Sequence, residues 1–143
     1  MLFVDTNILV AHFASTHEFH LRASLFLDQA LVRKQHLVIS PQVIGEAFVV
    51  ATSQRIFKNP ASPHAFRILL DRFMNNGVVN VVSPGEQAVE YALEAADERN
   101  ITSARFFDLL IYGTMREHGI SRIATFNVKD FAGLAGIELV PVE

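Results

Sequence analysis

Apolar residues fall along this chain in two alternating rhythms. Short aliphatic or β-branched runs recur at 2–4, 37–39, 78–82, 120–124 and 137–140, each the length of a buried strand. Between them the spacing changes to the helical interval of three and four residues. Phe19, Ala23, Phe26, Leu27, Ala30 and Leu31 share one helical face, and Val43, Ile44, Ala47, Phe48, Val50 and Ala51 another. Phe66, Leu69, Leu70 and Phe73 make a third, and Ala88, Tyr91, Ala92 and Ala95 a fourth, whose reverse side carries Glu90, Glu94, Asp97 and Glu98. Ser15-Thr-His-Glu18 reads as a capping box before the first of these helices, Ser40-Pro41 and Ser83-Pro84 open the second and fourth, and Asn75-Asn-Gly77 ends the third. Strands separated by helices predict right-handed crossovers, hence one α/β domain over 1–143. Its expected core is a mostly parallel central sheet of four to five strands flanked by helices on both faces.

Several polar groups interrupt this pattern. Asp5 ends the first strand and starts the first helix, at the carboxyl edge where open parallel sheets collect ligands. It is either a helix cap or a chemical group. Glu46 lies at the rim of its helix's apolar face, as a surface charge or as a carboxylate turned into a polar hollow. Asp108 interrupts Arg105-Phe-Phe-Asp-Leu-Leu-Ile-Tyr-Gly-Thr-Met115, a helix apolar on nearly every side, and is expected in its buried middle. An unpaired carboxylate there costs several kcal/mol, so a cation must face it. Arg105, one turn earlier, is one candidate; a divalent metal shared with the other acids is the second. Thr125, Asn127 and Asp130 follow the fourth strand, as an ordinary turn or as further oxygen donors at the same edge. Crossovers of one hand would gather Asp5, Glu46, Asp108 and Asn127 at that edge, and carboxylates crowded together call for a hard cation.

In order and spacing, Val4-Asp5-Thr6-Asn7, Glu46, Asp108-Leu-Leu-Ile111 and Thr125-Phe-Asn-Val-Lys-Asp-Phe131 resemble the PIN-domain nucleases. The compact length resembles, within them, the VapC-type toxins of toxin-antitoxin pairs. The resemblance implies an endoribonuclease dependent on Mg2+ or Mn2+, with Asp5, Glu46 and Asp108 as its acidic catalytic and metal-binding site. Thr6 and Asn7 would shape that site, and Thr125 would support it. Many family members carry an acid where Asn127 stands here; Asn127 would then offer a neutral oxygen and Asp130 would contribute beside it, with less charge for a second metal. In this reading Asp5 and Asp108 are direct ligands, Glu46 a base or a holder of water, and Asn127 and Asp130 an outer shell. The implied partners are an RNA substrate, a cognate antitoxin and a second copy of the chain. The alternative is a catalytically degenerate module that binds RNA or protein.

Composition narrows the picture without deciding it. With 143 residues, half of them hydrophobic, the chain can bury a sizeable core. It has no cysteine, which removes disulfides and thiolate metal sites. No apolar run reaches the ~20 residues that span a bilayer, so a cytoplasmic protein is expected. The net charge of -3 argues against a broad basic face wrapped around nucleic acid, without excluding an RNA substrate approached through bound metal. Local pairs such as Arg33 with Lys34, Arg55 with Lys58, and Arg67 with Arg72 remain, most simply as solvated helix surface. Phe48, Phe57 and Phe66 offer either a contact surface or core packing.

Overall fold

A computed structural model describes residues 1–143. Its five strands are β1 (Leu2–Val4), β2 (Leu37–Ile39), β3 (Val79–Val81), β4 (Arg122–Ala124) and β5 (Glu138–Val140). They form one sheet in the order β3-β2-β1-β4-β5, and every neighbouring pair is parallel. The expected fold class is thus observed, with all five short apolar runs in the sheet. The three central strands are nearly dry, as continuous apolar runs covered on both faces should be; β3 and β5, at the edges, are partly exposed.

Seven helices cover the sheet: α1 (Thr6–Phe13), α2 (His20–Val32), α3 (Pro41–Ala51), α4 (Pro63–Met74), α5 (Glu86–Arg99), α6 (Phe106–Glu117) and the single turn α7 (Val128–Phe131). The chain moves from β1 to β2 to β3 in one direction, then returns past β1 to β4 and β5. Because right-handed crossovers in opposite directions lie on opposite faces, α1 to α4 cover one side and α5 to α7 the other. The packing agrees: α1 lies on α2 and α3, α3 on α4, and α6 on α5 and α7. The reversal occurs between β1 and β4, so the crevice that such a switch opens lies at the carboxyl ends of those two strands.

Local starts differ from expectation in two helices. Ser15 caps nothing: the first N–H before α2, that of Phe19, is taken by Nδ1 of His17 at 3.1 Å, and the helix begins at His20. The helix expected from Ser83-Pro84 begins at Glu86, with Gly85 at its N-cap and the Gly85 N–H held by Glu117 at 2.6 Å. Ser40 and Ser62, by contrast, cap α3 and α4 through the N–H groups of Val43 and Ala65. The aromatic residues divide as well: Phe66 is buried, edge-on to both Phe13 and Phe48, while Phe48 keeps part of its surface exposed.

Two glycines in helices have opposite consequences. A methyl at Gly113 in α6 would run into the backbone carbonyl of Ala88 in α5, so the two helices approach to a distance only glycine permits. A methyl at Gly45 in α3 meets nothing within 4 Å. Gly113→Ala is expected to destabilise the protein by about 1–3 kcal/mol through forced separation of α5 and α6. Gly45→Ala is expected to stabilise it by about 0.5–1 kcal/mol through lower unfolded-state entropy. Urea denaturation of both variants checks the two signs.

Candidate active site

At the switch point β1 hands over directly to α1. The N–H of Asp5 extends the ladder to the Ala124 carbonyl at 3.1 Å, and Asp5 is then the N-cap of α1. The side chain is 4% exposed. Its Oδ1 accepts the Thr6 N–H at 2.7 Å, and its Oδ2 accepts from the Thr125 hydroxyl at 2.6 Å and the Asn7 amide at 2.8 Å. The network closes on itself. Asn7 also donates to Thr125 Oγ1 at 3.1 Å and accepts the Phe126 N–H at 3.0 Å, while Thr125 Oγ1 accepts the Asn127 N–H at 2.9 Å. Capping and site-building are therefore not alternatives here. The same carboxyl caps α1 and anchors a polar cluster of Thr6, Asn7 and Thr125.

Glu46 reaches this cluster from α3. Its Oε2 accepts from the Thr6 hydroxyl at 3.0 Å, and its Oε1 accepts from Gln42 Nε2 at 2.6 Å. Gln42 Nε2 also donates to the Phe107 carbonyl at 2.9 Å, which ties α3 to the start of α6. Sequence reading passed over Gln42. Its one signal is its place four residues before Glu46, on the same helical face.

Asp108 is where expectation and structure differ most. It lies in the first turn of α6, not the middle, and is half-buried. Its neighbour Phe107 is 53% exposed, so the start of this apolar helix projects beyond the core. Arg105 does not pair with it. A 3-10 turn at Ser103–Arg105, entered through a left-handed Ser103 with φ 60°, leads straight into α6, and Arg105 stands at the N-cap of α6 in helical conformation. Arg105 instead meets Asp130 of α7 at 3.1 Å. Asp130 thus stands in a salt bridge on the far side of Asp108, and Arg99 Nη2 pins the adjoining turn through the Ala132 carbonyl at 2.9 Å.

Asp5, Thr6, Asn7, Glu46, Asp108 and Asn127 line one open pocket of about 270 Å3. Thr125 stands behind it, and Asp130 lies outside it. His17 lines it too. Helical spacing alone would put His17 on one exposed face with His20; it instead precedes α2 and lines the pocket with the acids. Because its Nδ1 accepts the Phe19 N–H, the neutral ring carries its proton on Nε2.

The electrostatics follow from this crowding. Burial pushes the Asp5 carboxyl up to about 6, further raised by Glu46; the hydrogen bonds from Thr125, Thr6 and Asn7 pull the other way without prevailing. Asp108 is also pushed up to about 6, by burial first and then by Asp5, Asp130 and Glu46, with Arg105 offsetting part. The pocket therefore holds more negative charge than its protein surroundings neutralise. All its acidic and amide donors are hard oxygens, which suit magnesium or manganese better than soft metals. As they stand, no three acidic or imidazole side chains converge as a ligand set. Such a lining suits a hydrated divalent ion rather than one fully wrapped by protein ligands.

Comparison with known proteins places this geometry. No curated protein matches the chain by sequence. Among solved structures, VapC20 of Mycobacterium tuberculosis, described as a sarcin-ricin loop cleaving toxin, superposes with a TM-score of 0.70 at 19% identity, covering 96% of this chain and 98% of that one. A toxin-antitoxin complex from Klebsiella pneumoniae gives 0.66 at 21% identity, over 100% and 98% of the two chains. DNA-bound VapBC from Salmonella typhimurium gives 0.68 at 15% identity, over 97% and 96%. At such identities these likenesses establish the fold. The sequence profile of the PIN domain matches residues 2–137, nearly the full length, and the chain belongs to the PIN-domain family.

Proposed function

We propose that the chain is a metal-dependent endoribonuclease, acting as the toxin of a toxin-antitoxin pair. The observation that carries the reading is the convergence of Asp5, Glu46 and Asp108 on one pocket, two of them with carboxyls raised to about 6. The described activity of VapC20 and the toxin-antitoxin nature of the other similar structures support the choice of RNA and of an antitoxin partner. No helix is long and apolar enough to cross a membrane.

Asp5 and Asp108 would hold a Mg2+ or Mn2+ ion. When bound, the ion supplies Lewis acidity at the phosphoryl group and a more acidic water. Glu46, restrained by Thr6 and Gln42, is placed to take a proton from an attacking water or to fix its lone pairs. Asn127 offers a neutral oxygen at the rim, and Thr125 and Asn7 keep the Asp5 carboxyl in a single orientation. Asp130, engaged by Arg105, sets the charge around Asp108 from outside the pocket.

Asp5→Asn is expected to abolish Mn2+-dependent cleavage of RNA while circular dichroism stays that of the folded wild type. Wild-type cleavage rates in the substituted protein would contradict the assignment, and a wild type that retains RNA without shortening it would favour the degenerate binding module.

Stability and metal are linked through the same carboxyls. An acid whose folded pKa is raised binds its proton more tightly when folded, so its contribution is present below the unfolded value of 3.8 and is lost as pH rises through about 6. In chelator, lowering the pH from 7.5 towards 5 should raise the thermal midpoint of the wild type by more than that of Asp5→Asn. Saturating Mn2+ should stabilise the wild type at pH 7.5, and that gain should shrink at pH 5 as protons displace the ion. Differential scanning fluorimetry over this grid reads both effects.

A further inference from the structure

Beside the acidic pocket the surface changes character. A second cleft, of about 420 Å3, opens past Thr125 and is lined by Phe19, Arg22, Phe126 and Val128 with the β5 side of the sheet. A ladder of rings joins the two hollows. His17, on the wall of the acidic pocket, lies 5.8 Å from Phe19 at 48°, and Phe19 lies 4.8 Å from Phe126 at 39°. The Arg22 guanidinium covers both phenyl rings at 5.2 and 5.5 Å and is pinned by the Val142 carbonyl at 2.6 Å. Both rings are only partly buried, backed by the core on one side and open to the cleft on the other. Since the Phe126 N–H is held by Asn7, the ladder is fixed in register with the Asp5 carboxyl.

We propose that Phe19, Phe126 and Arg22 form a nucleobase platform, which stacks an unpaired base of the RNA beside the phosphodiester held in the acidic pocket. This rests on the ribonuclease reading and narrows its substrate to unstacked, single-stranded segments. A chain of net charge -3 has little to gain from counterion release along a phosphate backbone. Stacking on aromatic faces supplies affinity that does not depend on net charge, and every base has a face to offer. A guanidinium held against two rings extends that surface and adds a cation–π attraction at small entropic cost. A duplex keeps its bases inside the stack, whereas a loop, bulge or strand end presents them.

The test uses the Asp5→Asn protein, so that the strand stays intact, and a short single-stranded oligoribonucleotide of mixed sequence, with an abasic residue placed at each position in turn. Fluorescence anisotropy should show one position at which the abasic residue weakens binding about tenfold. Phe126→Leu and, separately, Phe19→Leu on the same background should weaken the intact strand by a similar factor and the abasic strand hardly further. The second variant keeps the test decisive should the first disturb Thr125. A duplex of the same sequence should bind more weakly than the single strand. A flat abasic scan, losses that add in full, or no binding of the intact strand overturns the platform. Wild-type cleavage is scored apart from this. Cleavage with a flat scan leaves the ribonuclease and removes the platform, and a position-specific loss without cleavage does the reverse.

Discussion

A carboxyl group buried between two parallel strands is the constraint on which this structure turns. Asp5 sits where the strand order reverses, at 4% exposure, and both of its oxygens are occupied by donors from the first turn of α1 and from Thr125 just past β4. Those donors reduce the cost of burial without cancelling it, as the raised pKa of about 6 records. The fold then adds charge where charge is already expensive. Glu46 comes in from the side covered by α1 to α4, and Asp108 from the side covered by α5 to α7, so the two halves of the domain meet over one deficit of positive charge. A protein selected only for stability would place apolar groups here. Retaining three acids fits the proposed divalent ion, which would arrive from solution.

The surrounding residues divide into those that hold the acids still and those that adjust their charge. Thr6, Asn7, Thr125 and Gln42 belong to the first kind: neutral donors that fix orientation and leave the net charge untouched. Arg105 belongs to the second. By pairing with Asp130 it neutralises a neighbour that would otherwise repel Asp108 more strongly, yet it stays outside the pocket. Such a division keeps the acids available to a hard ion while limiting their mutual repulsion.

Much of this was legible in the sequence, for identifiable reasons. Continuous apolar runs marked the strands, since strands covered on both faces cannot alternate, and the helical spacing of the segments between them implied parallel crossovers. From that topology the meeting of Asp5 with Thr125, 120 residues away, follows from the sheet edge alone. What periodicity does not encode is where a helix begins. Asp108 looked central because Phe106 and Phe107 are apolar, but they belong to the first turn of α6, where Phe107 faces solvent. Arg105 looked like its partner because the helical spacing is right, but Asp130 of α7, 25 residues on, takes the guanidinium instead, and periodicity does not place that contact. Ser15 looked like a cap because its pattern fits, yet the His17 ring satisfies the N–H nearest the start of α2. His17 has helical spacing to His20, yet it stands on the loop before α2, and only the fold shows that it lines the pocket.

Asp5 and Asp108 are held above the ordinary aspartate pKa by burial first and by neighbouring acids second, and the proposed divalent ion would relieve them. Observing the side-chain carboxyl carbons of Asp5 and Asp108 by NMR through a pH titration measures this directly. Without metal, both should titrate near 6. With saturating Mg2+, both midpoints should fall to the ordinary aspartate range or below it. Midpoints near 4 without metal that do not move when Mg2+ is added would contradict the account.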